Sequence, residues 1–189
     1  MTNSSKSKGD RGEREAVAVL KHLSPHLLVD RPDRFLGAGR KDDEGDLRVF
    51  PDTSVQVKAW GISTIGTALR SAAAGAERQR LNARFDLGVG LVPIPRARNG
   101  TVRWLAAVQT SCQWPTPVIE DPVEFSMISR LLAWLRDDAG PHGYLAIPRH
   151  ERIGLLCGGN SATDIYVAPL EAWLAAYETY RQIPLRSTG

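Results

Sequence analysis

Asp46, Gln56 and Lys58 carry the chemistry that this sequence most readily suggests. They fall in the stretch Glu44-Gly45-Asp46-Leu47-Arg48-Val49-Phe50-Pro51-Asp52-Thr53-Ser54-Val55-Gln56-Val57-Lys58, which reads as two strands joined by a tight turn at Pro51-Asp52-Thr53. Proline pre-sets φ for such a turn, and aspartate bonds its own backbone within it. Side chains alternate along a strand, so Val55 and Val57 point to one face and Gln56 and Lys58 to the other. A carboxylate, an amide oxygen and an ammonium on one sheet surface make a seat for a magnesium ion and a phosphate. Magnesium takes hard oxygens and keeps several waters, so one or two protein ligands suffice. The lysine supplies a point charge for a phosphate or an attacking hydroxide. The plainer alternative is that Asp46 closes a turn and Lys58 is a solvated strand end; the stretch alone does not separate the two.

The elements that must position these residues lie on either side. Residues 1–8 read as a mobile tail. A first helix is predicted from Asp10 to Leu23, with Asp10 as N-cap and Glu13 at capping-box spacing. Ala16, Val17, Leu20 and Leu23 form its apolar stripe, and Glu13 lies in line with that stripe, pointing toward the sheet. An acid at the end of a buried stripe is either a cap or a site residue. Ser24-Pro25 stops the helix, and His26 to Asp30 reads as a short strand. The glycine-bearing loop from Arg31 to Asp43 is basic and then acidic, and is either a solvated connection or a grip for phosphate. After the hairpin, Ser63 or Thr64 caps a second helix that runs to about Ala83, with the small apolar face Ile65, Leu69, Ala72, Ala73 and Ala76. Its C-terminal half carries Arg78, Arg80 and Arg84. These suit the helix dipole as a solvated basic face, or grip a DNA backbone.

Lys8-Gly9-Asp10-Arg11-Gly12-Glu13-Arg14-Glu15 resembles the opening helix of archaeal-type Holliday junction resolvases. The basic glycine loop, Gly45-Asp46-Leu47 and Gln56-Val57-Lys58 resemble the rest of their signature, which belongs to the PD-(D/E)XK nuclease superfamily. The likeness covers the first third of the chain and rests on the order and placement of short motifs. It implies that Asp46 is the central metal ligand and that Gln56 takes the second ligand position, with the Val57 carbonyl beside it. It also implies that Lys58 orients or activates the attacking water and that Glu13 reaches in from helix one through a metal-bound water. The family carries Glu where this chain has Gln56; an amide oxygen still coordinates a cation but brings no charge, so Asp43 or Glu44 would have to compensate.

Downstream, Phe85 to Val92 and Thr101 to Val108 read as a hairpin with Asn99-Gly100 at the turn, Arg96, Arg98 and Arg103 near its tip, and Trp104 in the core. Asp121-Pro122-Val123-Glu124 has the form of a helix start, and Phe125, Ile128, Leu131, Leu132 and Leu135 would give that helix an apolar face for the core or for a dimer. Tyr144 to Ile147, Ile153 to Cys157 and Asp164 to Val167 read as strands, and Pro169 opens a last helix with Leu170, Trp173, Leu174 and Tyr177 inward. His142 and His150 lack metal-ligand spacing, as do Cys112 and Cys157, which are expected as reduced thiols.

Hydrophobic content of 42% and charged content of 24% suit a soluble globular chain, and a net charge of +3 permits a nucleic-acid partner without demanding one. The polar start and the lack of a spanning segment predict a cytoplasmic protein with no membrane partner. The expected fold is α/β: a restriction-endonuclease-like core (αβββαβ) with a mixed central sheet flanked by helices, plus C-terminal strands and helices. One domain would span 9–181, with its core at 9–108, an elaboration at 109–181 and a tail at 182–189. The expected function is that of a magnesium-dependent deoxyribonuclease, with manganese as a substitute, acting on branched DNA such as Holliday junctions as a homodimer. Glu13, Asp46 and Gln56 would bind the metal and Lys58 would complete the catalytic set. Arg14, Arg40, Lys41, Arg80 and Arg84 would contact DNA. A restriction-type duplex endonuclease, a non-cleaving DNA-binding module of the same fold, and a structural protein docking through the helix at 122–137 are the alternatives.

Overall fold

The computed structural model describes residues 4–34, 45–94, 104–115, 122–136, 151–159 and 163–182, with side chains from residue 9 onward. Helix α1 (Ser4–Leu23) leads into a short 3-10 turn (Pro25–Leu27) and strand β1 (Asp33–Arg34). Strands β2 (Leu47–Arg48) and β3 (Thr53–Val57) follow, then helix α2 (Ile65–Ala83) and strand β4 (Leu87–Pro93). The remainder comprises β5 (Trp104–Gln109), β6 (Val123–Phe125), helix α3 (Ile128–Arg136), β7 (Gly154–Leu156), β8 (Ile165–Pro169) and helix α4 (Leu170–Gln182).

All eight strands join one mixed sheet in the order β1-β2-β3-β4-β5-β8-β7-β6. The pairs β3–β4 and β6–β7 are parallel and the others antiparallel. Helices cover both faces, as a sheet buried on two sides requires. On one face, Ala16, Val17 and Leu20 of α1 and Trp173, Leu174 and Tyr177 of α4 pack with Val55, Val57, Val89 and Leu91. On the other, Ile65, Leu69, Ala72 and Ala73 of α2 and Leu131, Leu132 and Leu135 of α3 pack with Val92, Leu105, Ala107 and Val167. The small face of α2 does what its composition predicts. A Cβ placed on Gly90 of β4 would come within 2.6 Å of the Ala72 Cβ, so helix and sheet approach as closely as their backbones allow. Trp173 is fully buried against Phe50 and Tyr177, at ring separations of 5.3 and 5.1 Å.

Several expectations are corrected here. Helix α1 starts at Ser4, inside the expected tail, so Asp10 lies within the helix and does not cap it. The expected strand at His26–Asp30 is a 3-10 turn with an extended tail, tied to the hairpin by the Val29 N–H bonding the Val49 carbonyl at 3.0 Å; the strand itself forms later, at Asp33–Arg34. Val123–Phe125 is strand β6, not the first turn of a helix, because its β-branched and aromatic residues pair in register with β7. Helix α3 begins at Ile128 and buries Leu131, Leu132 and Leu135 in this chain's own core. Thr64 holds the N-cap position of α2, but its hydroxyl bonds the Gly61 carbonyl and does not cap the helix. The expected strand Tyr144–Ile147, the Arg96–Arg98 hairpin tip and residues 183–189 lie outside the described residues. Among the described residues no helix is long and apolar enough to cross a membrane.

Candidate metal and phosphate site

The site forms where β2 parts from β3. Leu47 pairs with Val55, and the Asp46 N–H bonds the Val55 carbonyl at 2.9 Å, which sets Asp46 beside Gln56 across the pair. Gly45 precedes it at φ +132°, a conformation that side-chain-bearing residues avoid, and its α-carbon lies tight against the Val55 backbone. The Asp46 carboxylate then turns into the gap between the strands. One of its oxygens, Oδ2, accepts the Val57 N–H at 2.8 Å and the side-chain amide of Gln56. Each strand thus supplies one side chain, and the hairpin register holds them together.

Two helices close on this gap from opposite faces. On the α2 side, Gln56 is buried against Gly75; a Cβ there would meet Gln56 Oε1 at 2.9 Å. On the α1 side, a Cβ on Gly12 would meet the Ala59 Cβ at 2.9 Å and a Val57 methyl at 3.7 Å. Gly12 therefore lets the helix lie against the end of β3, and the next residue, Glu13, arrives at the site. Its carboxyl is pushed above the usual glutamate range, first by burial and then by the charge of Asp46, with Arg34 and Lys58 pulling the other way. That pattern places Glu13 within electrostatic reach of both Asp46 and Lys58.

Asp46 and Gln56 are thus in contact, and Glu13 lies in the electrostatic field of Asp46 and Lys58. The positions expected to bind DNA fare differently. Arg14 is exposed on α1 beside Glu13, while Arg40 and Lys41 lie outside the described residues, as do Asp43 and Glu44. Arg80 is not a free cation: its guanidinium meets Glu77 at 2.6 and 2.9 Å and donates to the Phe85 carbonyl at 3.2 Å. Arg84, exposed at φ 57°, ends α2. Both sit by the Asp52 turn, because the Asp86 and Leu87 N–H groups bond the Asp52 carbonyl. Gln56 is four residues further along β3, roughly 13 Å at ordinary strand rise, so Arg80 and Arg84 belong to the opposite end of the sheet. The two thiols are unbridged, and burial pushes Cys112 up to about 11, so it is an inert apolar filler.

Arg34, in the loop read as a solvated connection or a grip for phosphate, turns to helix α1. It bonds the Asp10 carbonyl and carboxylate, each at 3.3 Å, and meets Glu13 at 3.4 Å, clamping one turn of α1. No local spacing marks it, since its partners lie on another element. Gln79, on the basic half of α2, is buried, with Oε1 directed toward Gly45 one turn along the helix from Gly75. A signal for the helix contacts did exist. Gly12 and Gly75 sit inside helices, where glycine costs about 1 kcal/mol against alanine and calls for a packing reason.

The donor set can be weighed for a divalent cation. Among the described residues no group of three or more His, Cys, Asp or Glu side chains could hold a metal. Two carboxylates, one amide oxygen and a backbone carbonyl remain, all hard oxygens, and magnesium needs no more from a protein. The raised Glu13 carboxyl is the relevant observation: two acids share a partly buried site at a cost that a cation would relieve. The Gln56 amide now presents nitrogen to Asp46; turning it by half a revolution puts its oxygen there instead. In donor type, though not in a described cluster, these residues suit a hard cation such as magnesium. In comparisons with family models, curated proteins and solved structures, nothing matches the chain.

Proposed function

We propose that this chain is a metal-dependent deoxyribonuclease of the PD-(D/E)XK kind. The observation that carries the reading is the Asp46–Gln56 pair across β2 and β3, with Glu13 held by α1 in the field of both Asp46 and Lys58. The order helix, three antiparallel strands, helix, parallel strand supports a restriction-endonuclease-like core, because it sets one helix on each side of that gap. A magnesium or manganese ion bound by Asp46, Gln56 and Glu13 would supply a polarised phosphoryl group and a hydroxide at neutral pH. Lys58 would stabilise the charge that grows on the phosphate oxygens as water attacks phosphorus and the P–O bond breaks. Glu13, as the resemblance implies, would reach the ion through a bound water and orient it. Branched DNA is the preferred substrate, read by a homodimer whose paired sites would cut two strands symmetrically.

A second reading has its own observation. The Gln56 amide already satisfies Asp46 without any ion, which suits a DNA-binding module that does not cut. One experiment separates the two. Purified protein is incubated with labelled junction, nicked and linear DNA, with magnesium, with manganese and with chelator. The nuclease reading expects product with metal alone and none from Lys58→Ala, which still binds and folds. Salt-sensitive binding with no metal-dependent product would overturn it in favour of the module.

A further inference from the structure

Five tryptophans occur in this chain, and four of them, Trp104, Trp114, Trp134 and Trp173, are at most 7% exposed. Trp60 is 44% exposed. It opens the segment Trp60–Thr64, every residue of which is exposed, and Ile62 beside it is 50% exposed. Gly61 between them has open space around its α-carbon, so this segment stands clear of the body. Isolated apolar residues on a surface need no explanation. The position of this pair does. Trp60 follows Lys58 by two residues, at most about 7 Å along the chain. The backbone of Trp60 therefore lies within about one nucleotide's spacing of that of Lys58, the cation assigned to phosphate.

We infer that Trp60, backed by Ile62, is a stacking platform for an unpaired nucleobase of the strand whose phosphate meets Lys58. The inference rests on the nucleic-acid reading of the site and names the feature of the substrate that it selects. A base inside a duplex has both faces covered by its neighbours and offers nothing to an indole. A base at a branch point, a frayed end or in a single strand has a free face, and every base has one, so such a contact favours unpaired DNA without reading sequence.

The test uses the full-length protein with chelator, so that binding is measured apart from cleavage. The probes are a short oligodeoxythymidylate, a blunt duplex and a four-way junction. Acrylamide, a neutral quencher, reports Trp60 selectively because the other four indoles are buried. Oligodeoxythymidylate is expected to shield that accessible emission. Trp60→Ala is expected to weaken binding of oligodeoxythymidylate and junction by about 5- to 150-fold and to leave duplex binding unchanged. Trp60→Phe keeps an aromatic face and retains most of the affinity. An exposed side chain makes either variant foldable, and a thermal melt checks it. Unaltered oligodeoxythymidylate binding by Trp60→Ala, or equal loss on all three probes, overturns the inference, as does emission that stays open to acrylamide when the oligonucleotide is bound. If magnesium never yields product while the Trp60-dependent preference stands, the nuclease reading fails and the stacking role survives. If cleavage is found and Trp60→Ala binds normally, the reverse holds.

Discussion

Replacing Gly12 by alanine should separate the stability of this fold from the geometry of its site. The new methyl would lie 2.9 Å from the Ala59 Cβ, and ordinary contact begins at 3.4 Å, so helix α1 and the end of β3 must part by at least 3.4 − 2.9 = 0.5 Å. Overpacking of this kind costs about 1–3 kcal/mol. Removing a glycine from a helix interior returns about 0.5–1 kcal/mol. The net loss is therefore about 0–2.5 kcal/mol, or a fall in Tm of up to about 10 °C for a chain of this size. Activity should suffer more. The residues on either side of that contact are Glu13 and Lys58, and a misplacement of about 1 Å can cost about 100-fold, so half of that suggests about tenfold. Gly9→Ala is the control: nothing lies within 4 Å of its Cβ position, so the helix should gain about 0.5–1 kcal/mol with cleavage unchanged. Thermal melts and metal-dependent cleavage of a labelled junction measure both quantities. Gly12→Ala melting as high as Gly9→Ala and cleaving at the wild-type rate would show that α1 does not set the site by close contact.

Gln56→Glu should lower the Tm of the metal-free protein, because a donor to Asp46 becomes a second carboxylate; magnesium should restore the Tm and keep or raise cleavage, and a Tm indifferent to magnesium would exclude Gln56 as a ligand. The Glu13 carboxyl is raised on folding, so its contribution to stability is fully present below the unfolded value near 4.3 and is lost as pH rises through the folded one. Glu13→Gln should thus raise the neutral-pH Tm and lose that advantage in acid, while carboxyl-carbon NMR should show the wild-type group titrating lower with magnesium and higher in Arg34→Ala. Arg80→Ala should destabilise by about 1–2 kcal/mol through its partly buried bonds to Glu77 and Phe85, yet leave DNA binding unchanged; filter binding at several salt concentrations would detect a lost phosphate contact as a shallower salt slope.

What could be read from the sequence was local. Helical arithmetic placed Glu13 in line with Ala16, Val17 and Leu20, and the structure buries those three together with the contact at Gly12. Strand alternation placed Gln56 opposite Val55 and Val57, and the turn at Pro51-Asp52 fixed the register that brings Asp46 alongside. Misreadings arose where a distant segment decides. Val123 and Phe125 satisfy every local rule for a helix start, but their backbone is claimed by Gly154–Leu156, about thirty residues away, and sheet pairing of that range outweighs a capping preference of about 1 kcal/mol. The expectation that Arg80 contacts DNA rests on its charge alone, whereas its pairing with Glu77 three residues earlier is a helix-neighbour relation that local spacing allows. Arg34 needed the folded chain, since Asp10 and Glu13 reach it from a separate helix.

The two ends of β3 carry aspartates from the same hairpin, and they are treated in opposite ways. At the turn, Asp52 is saturated: Tyr177 donates to it at 2.6 Å, Thr53 at 3.0 Å and Arg181 at 2.9 Å, while its carbonyl receives Asp86 and Leu87. Burial, and then the bond to Asp52, push the Tyr177 hydroxyl well above the ordinary tyrosine range, so the contact stays a neutral donor to a carboxylate at any physiological pH. These bonds fasten α4 to the end of the sheet. At the other end, Asp46 stands beside a second acid whose own carboxyl resists ionising. A chain selected for stability alone would treat both ends like the first. Helix α1 is held against β3 by a glycine, and Arg34 offsets part of the charge without cancelling it. The fold thus concentrates its fastening bonds at the turn end of the strand and tolerates an electrostatic cost at the other, a cost that the proposed cation site would account for.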